Sequence, residues 1–378
     1  MTIHILHLHS SFDLGGKEAR AVRLMNAFGK SARHTIVSGV PDALSACEAI
    51  APGVNYEIAQ NPPPLVGRPS VKRYEMIARA MASFDLVLTY NWGAIDGVMA
   101  KRVFSGKLPP VIHHEDGFNE DESKRLSPIR NMYRRIALGA ADALVVPSEK
   151  LEGIAQRYWK VEPPKLKRIS NGIDTARYAG KCDPHAIPGL EKKDGQIVVG
   201  TVAGLRAVKN LPLLLHAVGG MPFTVKLVIV GEGPERDTIL ETAELMGLED
   251  DLIMPGFLPE PHRYMGLFDI FALSSKSEQQ PISVMEAMAA GLPIVAPPVG
   301  DVPMMVAADN SPYLSPNWSA VGIRDRIQVL AKNEKARKQL GKSNRDRARA
   351  LFDEKEMIAA YARLYGEAIG KTGAFSIS

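Results

Sequence analysis

Short apolar runs alternate with longer amphipathic stretches along the chain, the pattern of repeated βαβ units around a parallel sheet. In the first half the runs predict strands over residues 3–9, 35–38, 86–89, 111–114, 143–147 and 166–169, with helices such as 18–28 and 71–81 between them. Residues 60–69, with Pro62, Pro63, Pro64 and Pro69, read as a loop. Residues 181–195 carry Pro184, Pro188 and Gly189 without periodicity and read as a linker. A second series follows, with strands over 197–202, 226–230, 252–254, 270–273 and 293–296 and helices over 211–218, 234–246 and 282–290. Residues 320–370 are helical in character and rich in Arg, Lys and Ala.

The implied fold class is α/β, with two doubly wound, Rossmann-like domains facing across a cleft. Expected boundaries are 1–180 for the first domain, 181–195 for the linker and 196–355 for the second domain, with 356–378 a C-terminal helix returning to the first. Ligands of such sheets bind outside the carboxyl ends of the strands, so the chemistry is expected there. A length of 378 residues exceeds what one ordinary core serves, and 46% hydrophobic with 23% charged residues excludes a disordered chain. The formal charge of +4 is too small to argue for a nucleic-acid partner, and none is expected. Cys47 and Cys182 form neither a disulfide framework nor a metal-ligand pattern. The start, MTIHILHLHSSFDLGG, lacks a signal peptide's basic opening and long apolar region, and no window is apolar enough to span a bilayer. A soluble cytoplasmic protein is expected, with peripheral contact at the inner face of the plasma membrane allowed.

Five segments carry candidate chemistry, each beside a duller alternative. Asp13-Leu14-Gly15-Gly16-Lys17-Glu18 follows the first strand, where paired glycines and a helix start suit a phosphate; a plain strand-to-helix turn reads equally well. Gly204-Leu205-Arg206-Ala207-Val208-Lys209-Asn210 places two cations in one loop at a strand end, as a diphosphate needs, or is a solvated basic loop. Gly231-Glu232-Gly233-Pro234 is a tight turn with Pro234 at the first position of a helix, which any βα loop could offer. Gly256-Phe257-Leu258-Pro259-Glu260 could read a nucleobase edge through its backbone, although nothing in its composition demands it.

The fifth segment, residues 278–293, carries most weight. Pro281 suits the first helical position, Gly291 the C-cap, and Pro293 forbids continuation. Glu278 in the loop and Glu286 one turn into the helix can face the same cavity, where carboxylates accept sugar hydroxyls and helix amides hold a diphosphate. The bland reading has both merely stabilising a helix start. His113-His114-Glu115-Asp116 closes a strand and points to the ligand side; His4, His7 and His9 alternate on the first strand and read as one packed face. No histidine set has metal spacing, so no metal site and no cofactor are expected.

Taken together, Gly15-Gly16-Lys17-Glu18, Asn171-Gly172-Ile173-Asp174, the 204–210 loop, Val230-Gly231-Glu232-Gly233-Pro234, Gly256-Phe257 and the 278–293 block resemble the retaining glycosyltransferases of family 4, which have the GT-B fold. The match runs over most of the chain and includes two glutamates separated by seven residues. The resemblance implies a nucleotide-sugar donor, a glycan or lipid-linked acceptor in bacterial polysaccharide synthesis, and a front-face mechanism in which the leaving phosphate takes the acceptor's proton. It implies that Lys209 binds the diphosphate, Gly16 lies beside it, Glu286 takes the ribose hydroxyls and Glu278 faces the donor sugar. Asn171 and Asp174 fall in a hinge segment with a structural role. The implied donor-binding set is Gly15, Gly16, Gly204, Lys209, Gly256, Phe257, Gln279, Gln280, Pro281, Ile282 and Glu286. The implied catalytic set is Lys209, Arg206, Glu278 and one of His113, His114 or Asp116.

Three departures bear on the site, one being that the family's acceptor-side histidine corresponds here to His113, His114 or, by strict spacing, Asp116. The family's Arg five residues before its Lys falls here on Gly204, with Arg206 nearby, and its Gly-aromatic pair after the first glutamate is here Gln279-Gln280. A GT-B sugar-nucleotide epimerase and a non-catalytic nucleotide-sugar-binding partner stand as alternatives. Residues 123–136 interleave Lys124, Arg125, Arg130, Arg134 and Arg135 with Leu126, Ile129, Met132, Tyr133 and Ile136. That apolar stripe either packs on the domain with its arginines in solvent or lies on an anionic membrane.

Overall fold

The structure, a computed structural model, describes residues 2–118, 122, 125–193 and 195–376. The chain divides into two compact units, one of Met1–Gly117, Arg125–Asn171 and Lys355–Ser378, the other of Phe118–Lys124 and Gly172–Glu354. Ser123 and Lys124 of the basic segment lie outside the described residues.

The first unit holds a seven-stranded sheet: β1 (Ile3–His9), β2 (Ala32–Ser38), β3 (Asn55–Ile58), β4 (Leu86–Tyr90), β5 (Val111–His114), β6 (Ala143–Val146) and β7 (Leu166–Arg168). All neighbours are parallel, in the order β3-β2-β1-β4-β5-β6-β7. Both faces are covered, and the period of two along a strand decides which residue goes where. Ile3, Ile5, Leu86 and Leu88 pack with Leu24 and Phe28 and with Met357, Tyr361 and Tyr365 of the C-terminal helix Glu354–Ala368. Leu6, Leu8 and Val87 pack on the opposite face with Ile77, Met81 and Val98. The same parity corrects the reading of the first strand's histidines: His7 and His9 share the face of Ile3 and Ile5, whereas His4 lies on the other.

The second unit holds a five-stranded parallel sheet, β8 (Val198–Val202), β9 (Lys226–Val230), β10 (Leu252–Gly256), β11 (Ile270–Ala272) and β12 (Ile294–Val295), ordered β10-β9-β8-β11-β12. Val198, Val228 and Phe271 bury one face under Val284, Met285 and Met288 of the helix Ile282–Ala290. Val199, Leu227 and Ile229 bury the other under Leu214, Leu215 and Ile327. Gly291 ends the helix Ile282–Ala290 in a left-handed C-cap at φ 82°.

Three helix starts differ from expectation: the helix expected from residue 18 begins at Gly16. The helix expected from residue 234 begins at Arg236 with Glu235 as N-cap, and Pro281 is itself an N-cap before Ile282 instead of the first helical residue. Among the described residues no helix is long and apolar enough to cross a membrane.

Candidate functional site

Strand order reverses between β8 and β11 in the second unit, and at such a reversal the two outgoing loops part and leave room for a ligand. The loop after β8 carries Lys209 and the loop after β11 carries Glu278. Lys209 Nζ lies 2.6 Å from Glu278 Oε1, the two side chains being 18% and 10% exposed. Ser275 Oγ donates to the same carboxylate oxygen at 2.7 Å. Ser274 Oγ donates to the Lys209 carbonyl at 3.0 Å, and the Lys276 amide to the Val208 carbonyl at 2.8 Å, so the two loops hold each other. Sequence reasoning missed both serines; their signal was two hydroxyls directly after an apolar strand.

The Gly204 departure has a physical answer. A side chain at 204 would begin 3.6 Å from Arg206 Nε, so the exposed Arg206 folds its guanidinium back over the glycine. A cation therefore stands beside the position where the resemblance expects one. Gly231 and Gly233 have φ of 143° and 154°, and a Cβ on either would strike the Ala203 or Leu205 carbonyl, at 1.9 and 2.5 Å. Only glycine lets the loop after β9 close on the loop after β8 here.

At the end of β10, Gly256 (φ 86°) accepts from the Gly231 amide at 2.9 Å, and the following Phe257 is 59% exposed. After the Glu278 loop, buried Pro281 leads into Ile282, and no side chain caps that helix. Glu286 is half-buried one turn in; burial and then the Glu286 carboxylate raise the Tyr264 phenol, which places Glu286 in electrostatic reach of Tyr264. Gln279 is buried, and its carbonyl accepts from the Asp301 amide at 2.8 Å. Gly300, φ 55°, lets that loop approach, since a Cβ there would lie 2.5 Å from the same carbonyl.

In the first unit the order reverses between β1 and β4. Gly15 is the exposed N-cap and Gly16 the exposed first residue of the helix Gly16–Phe28, again without a side-chain cap. Lys17 Nζ donates to Glu18 Oε1, and burial lowers the Lys17 amine to about 8. Arg20, 3% exposed, forks onto Asp116, the second bond being 2.8 Å, and reaches Asn171 Oδ1 at 3.1 Å. Asn91 Oδ1 accepts the Asp116 amide at 2.7 Å.

The histidines at the end of β5 are closed off, contrary to the reading that they face a ligand. His113 is 0% exposed, with Nδ1 2.7 Å from Thr89 Oγ1. His114 is 1% exposed, its Nδ1 3.2 Å from the Thr89 carbonyl and its Nε2 2.9 Å from the Tyr365 hydroxyl. Burial first, and the Arg20 charge second, holds His114 well below the ordinary imidazole range, so it is a neutral core residue. Of the three acceptor-side candidates, Asp116 alone keeps appreciable side-chain exposure, 14%.

Two parallel, doubly wound units define a GT-B protein. Residues 14–177 match the family model Glycosyltransferase Family 4 and residues 184–347 the model Glycosyl transferases group 1, and the chain belongs to the family 4 glycosyltransferases. It is similar to N-acetyl-alpha-D-glucosaminyl L-malate synthase of Bacillus anthracis, 24% identical over 63% of this chain and 63% of that one. It is also similar to the N-acetylgalactosamine-N,N'-diacetylbacillosaminyl-diphospho-undecaprenol 4-alpha-N-acetylgalactosaminyltransferase of Campylobacter jejuni, 30% identical over 50% of this chain and 48% of that one. The chain thus spans about half to two thirds of the length of these curated relatives. The crystal structure of Anabaena Alr3699/HepE with UDP and glucose shares the fold at a TM-score of 0.78 and 19% identity, over 97% of this chain and all of that one.

Proposed function

We propose that the protein is a retaining glycosyltransferase moving a sugar from a nucleoside-diphosphate sugar to a hydroxyl of a glycan or lipid-linked acceptor in bacterial surface polysaccharide synthesis, in the cytoplasm and without a metal cofactor. The observation that carries the reading is the Lys209–Glu278 pair at the switch point of the second sheet, beside an uncapped helix start. The bond from the anomeric carbon to the diphosphate breaks, and the developing charge on the phosphate oxygens falls to Lys209, Arg206 and the amides at Ile282. The acceptor oxygen bonds the same carbon, and its proton passes to the departing phosphate. Glu278 accepts from donor-sugar hydroxyls and Glu286 from the ribose. Asp116, held by Arg20 and Asn91, is the acceptor-side carboxylate.

The solved Anabaena relative with UDP and glucose, and the Campylobacter relative named for a diphospho-undecaprenol acceptor, support this donor and acceptor chemistry. A panel of UDP-, GDP- and ADP-sugars tests it, first by thermal stabilisation and then by NMR of the anomeric product. Transfer with the donor's configuration kept is the expected result. An epimerised sugar nucleotide, or binding without turnover, would replace it with an epimerase or a non-catalytic partner.

A further inference from the structure

The segment Ser315-Pro316-Asn317-Trp318-Ser319 runs into the helix Ala320–Ala331 of the second unit and is tied down on both sides of Trp318. Ser315, 2% exposed, donates its amide to the Ala296 carbonyl at 2.8 Å, just past β12, and its hydroxyl to the Asn317 carbonyl at 2.6 Å. Ser319 is the helix N-cap: its Oγ accepts the Gly322 amide at 3.0 Å and donates to Asn317 Oδ1 at 2.6 Å. Gly322 permits this packing, since a Cβ there would lie 2.4 Å from Ser315 Oγ. A loop braced in this way holds the side chain at position 318 in one place.

Trp318 spends that bracing on a single contact. Its indole Nε1–H donates to the Ser275 carbonyl at 3.1 Å while the residue stays 48% exposed. An indole N–H can only donate, and the ring beside it shields the bond from water. The residue that accepts it is the one whose hydroxyl donates to Glu278 Oε1 at 2.7 Å. Lys209 meets the same oxygen, so among the described residues both donors to Glu278 use Oε1, and Oε2 is left to a sugar hydroxyl. Ser274 and Lys276, on either side of Ser275, are tied to Lys209 and Val208 in the loop after β8. That loop also carries the cation that a diphosphate would claim. The Trp318 bond comes from outside it and uses no charge, so it keeps Ser275, and Glu278 with it, in place when Lys209 turns to a diphosphate.

We propose that Trp318 is a positioning residue for the donor sugar: its indole N–H fixes the Ser275 carbonyl, and through the Ser275 hydroxyl it aims the Glu278 carboxylate. This deepens the reading of Glu278 as the acceptor of donor-sugar hydroxyls and rests on it. The bonds from Trp318 lead to the carboxylate that meets the sugar, so the sugar part of the donor depends on them and the nucleoside diphosphate part does not.

The test is calorimetry on the full chain with two ligands, the nucleotide sugar that the donor panel selects and its free nucleoside diphosphate. The proteins are the wild type, Trp318→Phe, Trp318→Ala, Ser275→Ala and the double variant Trp318→Phe, Ser275→Ala. Trp318→Phe keeps a ring and loses the N–H, so it should weaken the nucleotide sugar roughly threefold to tenfold, as one lost hydrogen bond does. It should leave the free diphosphate unchanged, which also shows that the fold is intact. The double variant should be little worse than either single one, because both act on Glu278 through one hydroxyl. Equal losses for the two ligands, unchanged affinity for both, or losses that simply multiply in the double variant overturn the proposal. So does wild-type affinity in Trp318→Phe beside a loss in Trp318→Ala, which would make the indole face a stacking platform for the sugar. A wild type that binds the free diphosphate and no nucleotide sugar sinks the donor reading and this proposal with it. Sugar transfer by the wild type together with any of the overturning results sinks the role of Trp318 alone.

Discussion

Lys209 Nζ stands 2.6 Å from Glu278 Oε1, although the two residues lie 69 positions apart and leave different strands of one sheet. Both side chains are largely buried, so without a ligand each charge relies on the other. A diphosphate entering the site must share Lys209 with Glu278, and a sugar hydroxyl must share Glu278 with Lys209. The pair therefore holds the site's charges in place before the donor arrives, which is what electrostatic stabilisation of a transition state requires.

Lys209→Met should lower kcat on the order of a hundredfold or more, by analogy with the loss of an oxyanion donor. It also strands a mostly buried carboxylate, so the protein should lose about 1–3 kcal/mol in denaturant unfolding. The double variant Lys209→Met, Glu278→Gln should recover most of that stability and none of the activity. Wild-type turnover in the single variant would remove Lys209 from the chemistry.

Ser275→Ala deletes the hydroxyl that donates to Glu278 Oε1. Lys209 still holds the carboxylate, so the effect should be smaller, roughly threefold to tenfold in kcat/KM for the donor, in line with one lost hydrogen bond. An effect as large as that of Lys209→Met would mean that the serine, not the lysine, sets the position of Glu278.

Glu286→Gln tests the ribose assignment. A hydrogen bond to a charged group is worth about 1.5–3 kcal/mol, so free nucleoside diphosphate should bind roughly tenfold to a hundredfold more weakly with the fold intact. Unchanged affinity by calorimetry takes Glu286 out of the site.

The strands that are buried on both faces were legible where their apolar runs are continuous, as in β6 and β9. The strand β3 was not: Asn55–Ile58 is an exposed edge with no apolar run, and its pairing with β2 alone makes it a strand. Within the site, Lys209 and Glu278 could each be marked from residue type and position, but their direct contact depends on the strand order β8-β11, which local pattern does not encode. His113 and His114 misled for a related reason. Polar residues at a strand's carboxyl end usually meet solvent, and here the core closes over them, Thr89 meeting Nδ1 of His113 while Thr89 and Tyr365 meet the two nitrogens of His114. The stripe on the helix Pro128–Leu138 was visible as spacing, but which side faced outward depended on the cage that Trp92 and Trp159 build around Arg134.

The buried imidazoles set an acid limit to stability. His34 Nδ1 lies 3.0 Å from His7 Nε2, the residues being 1% and 3% exposed. Burial, and then the His4 charge, lowers His34 from its ordinary 6.5 to about 4. The unfolded chain therefore takes up a proton below about 6.5 that the folded chain refuses until near 4, so unfolding binds protons in that window. The stability from keeping His34 neutral is complete above 6.5, drains as pH falls and levels off below 4. By pH 5 the loss is about 2 kcal/mol from His34 alone, at 1.36 kcal/mol per unit. His7 and His114, also pushed well below the imidazole range by burial, add to the same slope. Most carboxylates remain ionised between pH 7 and 5, so the histidines dominate there. Melting followed by circular dichroism should show the Tm of the first unit falling by roughly 4–8 °C between pH 7 and 5. His34→Gln, which keeps a hydrogen-bonding group but cannot titrate, should flatten that fall by His34's share. A Tm independent of pH across this interval would mean that the imidazole cluster takes up protons without cost.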